Sequence, residues 1–304
     1  MKEVIVRLGN GLGNQLFTYA AAYSFSKKKN AKLYIDDESG FYFRHKCELH
    51  NFNITAPIVE KKYKFLGIYG RFKRRFLQKV NLLKNKKLFL IEQTDSNKLT
   101  YFNQEQFDKN FEDRLYFEGY FQSEKYFSNY KDNILKEFSF NEKIINQKNH
   151  FIDKIKNTNS VSLHLRREKF LNNEGHKDPI KMNMEHLKKS VDIIKRGIAF
   201  FNKNVENPAY YLWSNNFDGL NEFFKKDNII FVDVNNTKDP AYDLYAMSLC
   251  KHFILSPSTL HYWASYLCNN SDKICLAPPN IKDKSGYYGF SNNKDIKSSF
   301  WTII

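Results

Sequence analysis

Short apolar runs alternate with helical-period stripes along this chain. Val4-Ile5-Val6 has the length and character of a buried strand, and Leu16, Phe17, Ala20 and Tyr23 recur at helical spacing. Lys27 to Lys29 suit the C-terminus of that helix, and Ala31 to Ile35 reads as a second strand ending in Asp36-Asp37. Near residue 150 the pattern restarts. After the polar break Lys156 to Asn159, strands are predicted at Ser160–Leu165, Ala209–Trp213, Ile229–Val232, His252–Leu255 and Ile274–Ala277. Helices are predicted between them at Met184–Arg196, Phe217–Phe224, Asp243–Cys250 and from Ser258-Thr259 through Leu267. This order predicts an α/β fold with parallel sheets, covered by helices on both faces. The restart divides the chain into domains at 1–150 and 151–304. In such sheets ligands sit beyond the C-terminal strand ends, which directs attention to Arg166-Arg167, Ser214 to Asn216 and Ser256 to Thr259.

The first strand runs into VRLGNGLGNQLF, with Gly9, Gly11 and Gly13 two apart. A dinucleotide-binding loop has the same strand-loop-helix outline but needs G-x-G-x-x-G, and a P-loop needs Lys-Ser or Lys-Thr after its glycines. Neither pattern is present. Glycines chosen for positive φ would explain the turn. They would leave Asn14-Gln15 without a reason.

With 304 residues, 42% hydrophobic and 16% aromatic, the chain has ample material for two packed cores. Its 48 Lys and Arg against 33 Asp and Glu give a net charge of +15, which implies anionic company: nucleotide phosphates, an acidic membrane face or nucleic acid. Cys47, Cys250, Cys268 and Cys275 form no C-x-x-C pair and suit reduced thiols. Met1-Lys2-Glu3 leads straight into a strand, and no apolar run is long enough to cross a bilayer, so a cytoplasmic location is expected. The segment 61–87 carries eleven Lys and Arg and no acid. Its Phe72, Phe76, Val80 and Leu83 fall on one helical stripe, which fits either an anionic membrane interface or packing on its own domain.

His164-Leu165-Arg166-Arg167 places a ring and a guanidinium on one side of a strand, with a second arginine just past it. Arginine's planar fork suits a diphosphate. Ser258 and Thr259 fit helix N-caps, and the N–H groups they adjoin can equally bind phosphate.

Taken in order, these stretches resemble the bacterial α-1,2-fucosyltransferases, the family 11 glycosyltransferases. G-L-G-N-Q-L-F-x-Y-A matches the opening of that family. His164 to Arg167 matches the core of its H-x-R-R-x-D motif, LWSNN falls at its F-S-D-D segment, and Asp243 to Leu267 matches its D-x-x-x-M-x-x-C-x-H...S-x-S-x-x-x-W region. The resemblance implies a GT-B-type fold, two Rossmann-like domains with parallel sheets facing a cleft. The first would serve the acceptor and the second the nucleotide. It implies inverting transfer without a metal or cofactor, from GDP-fucose to a hydroxyl, galactose O2 foremost, of a surface-glycan or lipid-linked acceptor. No Asp-x-Asp occurs in the chain, in keeping with the absence of a metal.

On this resemblance Arg166, Arg167 and His164 are catalytic candidates. Glu174 is a candidate base, with Asp36, Asp37 and Glu168 as competing acids. Gly11, Gly13, Asn14 and Gln15, Ser214 and Asn216, Asp243, and Ser256, Ser258 and Thr259 would hold the donor. Arg167, beyond the strand end, is expected to reach the diphosphate. There are departures too: Glu168 and Lys169 fill the last two positions of H-x-R-R-x-D, and amides stand at Asn215-Asn216 where the family has acids. A carboxylate accepts from guanine's N–H edge better than an amide does, so a different nucleotide-sugar donor stays open. A nucleic-acid-binding protein would explain the charge but shows no recognisable motif, and an oxidoreductase fails on the glycine spacing.

Overall fold

The computed structural model describes residues 1–41, 45–83, 88–95, 100–147, 149–167, 178–224, 228–232, 239–278 and 294–304. The chain forms two compact units. The first comprises Met1–Asn141 and Ser291–Ser298, the second Glu142–Phe290 and Ser299–Ile304.

In the first unit the elements run β1 (Glu3–Gly9), α1 (Leu12–Lys28), β2 (Lys32–Gly40), α2 (Gly67–Leu83), β3 (Phe89–Ile91), α3 (Gln104–Asp108), β4 (Arg114–Glu118) and α4 (Lys131–Glu137). The sheet order is β2-β1-β4-β3, all parallel. β1 lies between two neighbours, with Ile5 opposite Tyr34 and Tyr116, and Val4 to Val6 are fully buried. That is why it reads as an unbroken apolar run. α1 does not show the single stripe expected of it. It is buried from Leu12 to Ser26 except at half-buried Asn14, its rings packed on others: Phe17 on Phe127 at 6.2 Å, Phe25 on Phe107 at 5.3 Å. β2 runs on past Ile35 to Gly40 and carries Asp36 fully buried within it. The ends of β1 and β2 meet at a pair of glycines. A Cβ on Gly40 would lie 1.7 Å from the Leu8 carbonyl oxygen, so only glycine fits there.

The second unit continues with α5 (Glu142–Ile145), α6 (His150–Lys156), β5 (Asn159–Leu165), α7 (Pro179–Asn204), β6 (Pro208–Ser214), α8 (Leu220–Phe223), β7 (Ile229–Phe231), α9 (Pro240–Ser248), β8 (His252–Ile254), α10 (Thr259–Leu267), β9 (Cys275–Ala277) and β10 (Trp301–Ile303). All six strands are parallel, in the order β10-β9-β8-β5-β6-β7. The division falls between Asn141 and Glu142, ahead of the predicted 150, because α5 and α6 bury Ile144, Ile152 and Ile155 in this unit, α5 against α9 and α6 against β5.

The core of this unit joins Leu163, Ile194, Ile198, Leu212 and Ile254. Gly197 lets α7 close on β8, since a Cβ there would meet Ile254 Cδ1 at 2.6 Å. α7 is twice the predicted length: Asp178 caps it by accepting from Lys181 N at 3.0 Å, and Pro179 opens its first turn. α8 is shorter than predicted because Gly219, at φ 67°, stops the chain just before it.

Candidate active site

β5 delivers its last residues between β6 and β8, with His164 opposite Trp213 and Leu165 opposite Ser214. His164 Nδ1 lies 3.3 Å from Ser256 Oγ, and its ring centroid is 5.7 Å from that of His261 on α10. The Ser256 N–H points at His261 Nδ1 at 3.4 Å, while His261 Nε2 lies 3.1 Å from Ser162 Oγ. Nδ1 therefore accepts and the proton belongs on Nε2. Burial, and then the charge of Arg166, push His164 down to about 4. Burial first, then His164, hold His261 well below its ordinary range. Both imidazoles are neutral at physiological pH. A pair of neutral rings tolerates each other's proximity where two imidazolium ions would not.

The two arginines that follow are in different situations. The Arg167 N–H donates to Asn215 Oδ1 at 2.8 Å, and its Nη1 to Asn216 Oδ1 at 3.4 Å. Asn216 Oδ1 also accepts from Asp218 N, and Ser214 Oγ donates to the Asn216 carbonyl, both at 2.8 Å. Arg167 thus braces the loop after β6. Arg166 is exposed and has no hydrogen-bond or ion-pair partner among the described residues. Arg167 is the arginine expected to reach outward; among the described residues it is the one engaged by neighbours, and Arg166 is the one without a partner.

Ser258 is the N-cap of α10 and accepts from His261 N at 3.4 Å. Thr259 opens the helix, where first-turn N–H groups have no intrahelical acceptor. Asp243 lies in the first turn of α9, its carboxyl pushed up to about 7 by burial and by the charge of Asp239.

In the first unit, strand ends and the start of α1 surround a cavity of about 310 Å³, lined by Arg7, Asn10, Glu118 and Tyr120 with Gly9, Gly40 and Gly119 between them. Arg74 Nη1 lies 2.5 Å from Glu118 Oε2, and Gln78 Nε2 donates to the same oxygen at 2.9 Å. The other oxygen, Oε1, is buried with no hydrogen-bond donor among the described residues. Burial raises the Glu118 pKa despite Arg74 and Arg7. Glu92 beside it accepts from Tyr120 N at 2.7 Å and Phe121 N at 2.9 Å, and burial pushes it up to about 7.

The glycine loop is built differently from a positive-φ turn. Asn10, at φ 63°, is its left-handed residue, and Gly11 is an extended N-cap at φ −71°. Gly13 is buried in the first turn of α1. Gln15, expected at the donor, is fully buried and engaged: its Nε2 donates to the Asn10 and Lys46 carbonyls and its Oε1 accepts from Glu48 N, each at 2.9 Å. Its amide ties the loop to the backbone around Lys46 and Glu48. Asn14 is half-buried, its Oδ1 accepting from Gln122 Nε2 at 2.8 Å, which leaves its NH2 to donate. Of the competing acids, Asp36 is fully buried and accepts from Ser39 N, and Asp37 is paired with Lys64 Nζ at 2.5 Å. Glu174, Glu168 and Lys169 lie outside the described residues.

Sequence reasoning missed His261, Arg7, Glu118 and Tyr120. His261 had a usable signal, a histidine in the first turn of a helix opened by S-P-S-T. The other three are brought together only by the order of strands in the sheet.

Two Rossmann-like units with all-parallel sheets, their polar side chains gathered at the C-terminal strand ends, define the GT-B class of glycosyltransferases. The chain belongs to glycosyl transferase family 11, whose model matches residues 3–304. It is 27% identical over 293 residues to an α-1,2-colitosyltransferase of Escherichia coli, covering 91% of this chain and 92% of that one. It is also 27% identical over 301 residues to the O-antigen biosynthesis glycosyltransferase WbnK of Escherichia coli, covering 89% and 92%. The fucosyltransferase NodZ from Bradyrhizobium has a similar fold, with TM-score 0.53 at 12% identity over 87% of this chain and 91% of NodZ. NodZ α-1,6-fucosyltransferase soaked with GDP-fucose matches at TM-score 0.50. The protein is a glycosyltransferase.

Proposed function

We propose that this chain is an inverting, metal-independent transferase that moves L-fucose from GDP-fucose to galactose O2 of a surface glycan, built on a lipid carrier at the cytoplasmic face of a membrane. The single observation that carries this reading is the Arg166 guanidinium, which has no hydrogen-bond or ion-pair partner among the described residues, beside a neutral His164 at the strand ends of a family 11 chain. In the reaction the acceptor oxygen forms a bond to the anomeric carbon as the bond from that carbon to the GDP oxygen breaks. The electron pair stays with GDP, so negative charge builds on the diphosphate. Arg166 and the first-turn N–H groups that begin at Thr259 answer that charge. Arg167 acts through the Asn215-Asn216 loop, and a protonated His164 is not required. Asp243 is offered to the base edge of the nucleotide, where a carboxylate accepts two donors. Ser214 and Ser256 hold these loops in place.

The cavity of the first unit is offered to the acceptor, with Glu118 Oε1 accepting from a sugar hydroxyl and Tyr120 presenting a ring to the sugar face. Glu174 takes the acceptor proton in this reading, on the family resemblance alone. A second reading, supported by the colitosyltransferase relative and by the amides at Asn215-Asn216, keeps the fold and changes the donor to a colitosyl nucleotide.

A panel of GDP-, UDP-, ADP- and CMP-sugars, scored by thermal shift and by transfer in the presence of EDTA, tests both readings. GDP-fucose should stabilise the protein and support transfer with EDTA present. Preference for a non-guanine donor would remove the GDP assignment, and strict dependence on a divalent metal would remove the metal-free mechanism.

A further inference from the structure

Helix α2 covers the first unit with one face and leaves the other uncovered. Gly70, Leu77 and Asn81 turn inward: a Cβ on Gly70 would sit 2.4 Å from the backbone of Phe65, Leu77 packs beside Phe65 and Phe89, and Asn81 Oδ1 accepts from Leu88 N at 2.7 Å. The outward face holds Ile68 at 67% exposure, Tyr69 at 81%, Phe72 at 64% and Phe76 at 65%. At about 100° per residue these four occupy roughly 100° of arc. This is not the stripe expected from the sequence, since its centre lies a turn earlier and Val80 is half-buried. Four large apolar side chains exposed side by side form a patch that needs an explanation.

The charges around the patch identify its occupant. Lys73, Arg75 and Lys79 are exposed along its margins and within it, and α2 contains no acid. Arg74 belongs to the other face, paired with Glu118, so it is not part of the basic surface the sequence suggests. A helix with an apolar arc set among cations alone has the makeup of an in-plane interfacial helix. A second copy of this chain would bring like charges together around the same apolar contact. We propose that α2 docks the protein on an anionic lipid surface, with Ile68, Tyr69, Phe72 and Phe76 entering the interface and Lys73, Arg75 and Lys79 meeting lipid phosphates. On the transfer reading above, this sets the Glu118 cavity one helix away from the surface that carries a lipid-linked acceptor, because Arg74 and Gln78 of the same helix hold Glu118.

The test uses the full chain without nucleotide-sugar, so its outcome is independent of the transfer reading. Sedimentation is compared with phosphatidylcholine vesicles that contain or lack phosphatidylglycerol. Binding is expected only with phosphatidylglycerol and should weaken with added salt. Neutralising Lys73, Arg75 or Lys79 to Gln should lower the partition about fivefold each. Phe72→Ser with Phe76→Ser should lower it at least about tenfold. Both phenylalanines are exposed, so melting temperatures should hold, and Phe72→Trp supplies a second readout as a blue shift on phosphatidylglycerol vesicles. Equal binding to neutral vesicles, or unchanged binding by the double serine variant, would overturn the proposal. So would a concentration-dependent dimer broken by that variant with no vesicle binding, which would assign the face to a second copy.

Discussion

The two sets of parallel strand ends have similar backbones and opposite electrostatic preparation. At the ends of β1 and β4 the arginines are engaged: Arg74 on Glu118, and Arg7 on the Ser39 carbonyl at 2.9 Å. Carboxylate oxygens of Glu118 and Asp36 are buried there with no hydrogen-bond donor among the described residues. At the ends of β5 and β8 the imidazoles are neutral, the amides of Asn215 and Asn216 are bound to Arg167, and the guanidinium of Arg166 has no partner among the described residues. A surplus acceptor suits a neutral, hydroxyl-bearing ligand, and a surplus cation suits a diphosphate. One architecture is thus prepared for two chemistries by which charges find partners within each unit.

The strongest way to break this comparison is at the arginines. Arg166→Ala should lower kcat/KM about 10- to 150-fold, if a charged hydrogen bond of roughly 1.5–3 kcal/mol is made mainly in the transition state. Arg166→Lys should recover part of that loss, keeping the charge without the fork. Arg167→Ala should cost less in rate and more in melting temperature. Steady-state kinetics that ranked Arg167 above Arg166 would reverse the assignment.

Titration sharpens the contrast between the units. The folded value of His164, about 4, lies below its ordinary 6.5, so between these the unfolded chain holds more protons and stability falls as pH is lowered. Glu92 in the first unit has the opposite sign: its folded value of about 7 lies above the ordinary 4.5, and stability falls as pH rises through that window. Each is worth at most about 3 kcal/mol. Thermal melts from pH 4.5 to 7 should therefore tilt in opposite directions in His164→Gln and Glu92→Gln. A common tilt would show that these two groups do not set the profile.

Glu118→Gln should raise the acceptor KM about tenfold through the loss of one charged hydrogen bond, and leave the donor KM unchanged. A change in the donor KM instead would place the cavity with the nucleotide. The smallest expected effect is at Ser258→Ala, about 1 kcal/mol of stability from the lost N-cap, read by thermal unfolding. A much larger loss of stability would mean that Ser258 does more than cap α10.

Alternation of short apolar runs with helical stripes was enough to read β1, β2, β5, β6, β7, β8 and β9 and the helices α1, α7, α8, α9 and α10. β3, β4 and β10 were not read. Phe89–Ile91 and Trp301–Ile303 are three residues each, too short for a period to declare itself. Arg114–Glu118 is a strand because β1 and β3 hold it on either side. His164 and Arg166 were legible because they close one strand within three residues, and the S-P-S-T turn because it opens one helix within four. That the Gln15 amide is buried and bonded to the Asn10, Lys46 and Glu48 backbone was not legible, because a buried amide and an exposed one look alike in one dimension.

By itself the sequence determined the parallel α/β architecture, the family and the strand ends at which polar residues gather, since all three rest on local periodicity and short contiguous motifs. Only the tertiary structure decided that Arg167 is engaged while Arg166 has no partner among the described residues, that Glu118 shares a cavity with Arg7, and that α2 turns its phenylalanines outward while Arg74 turns in. Those outcomes depend on partners 44 to 49 positions apart, as in Arg74 with Glu118 and Arg167 with Asn215 and Asn216. A side chain's charge becomes available only when its neighbours across the sheet leave it without a counter-ion, and no local pattern records that.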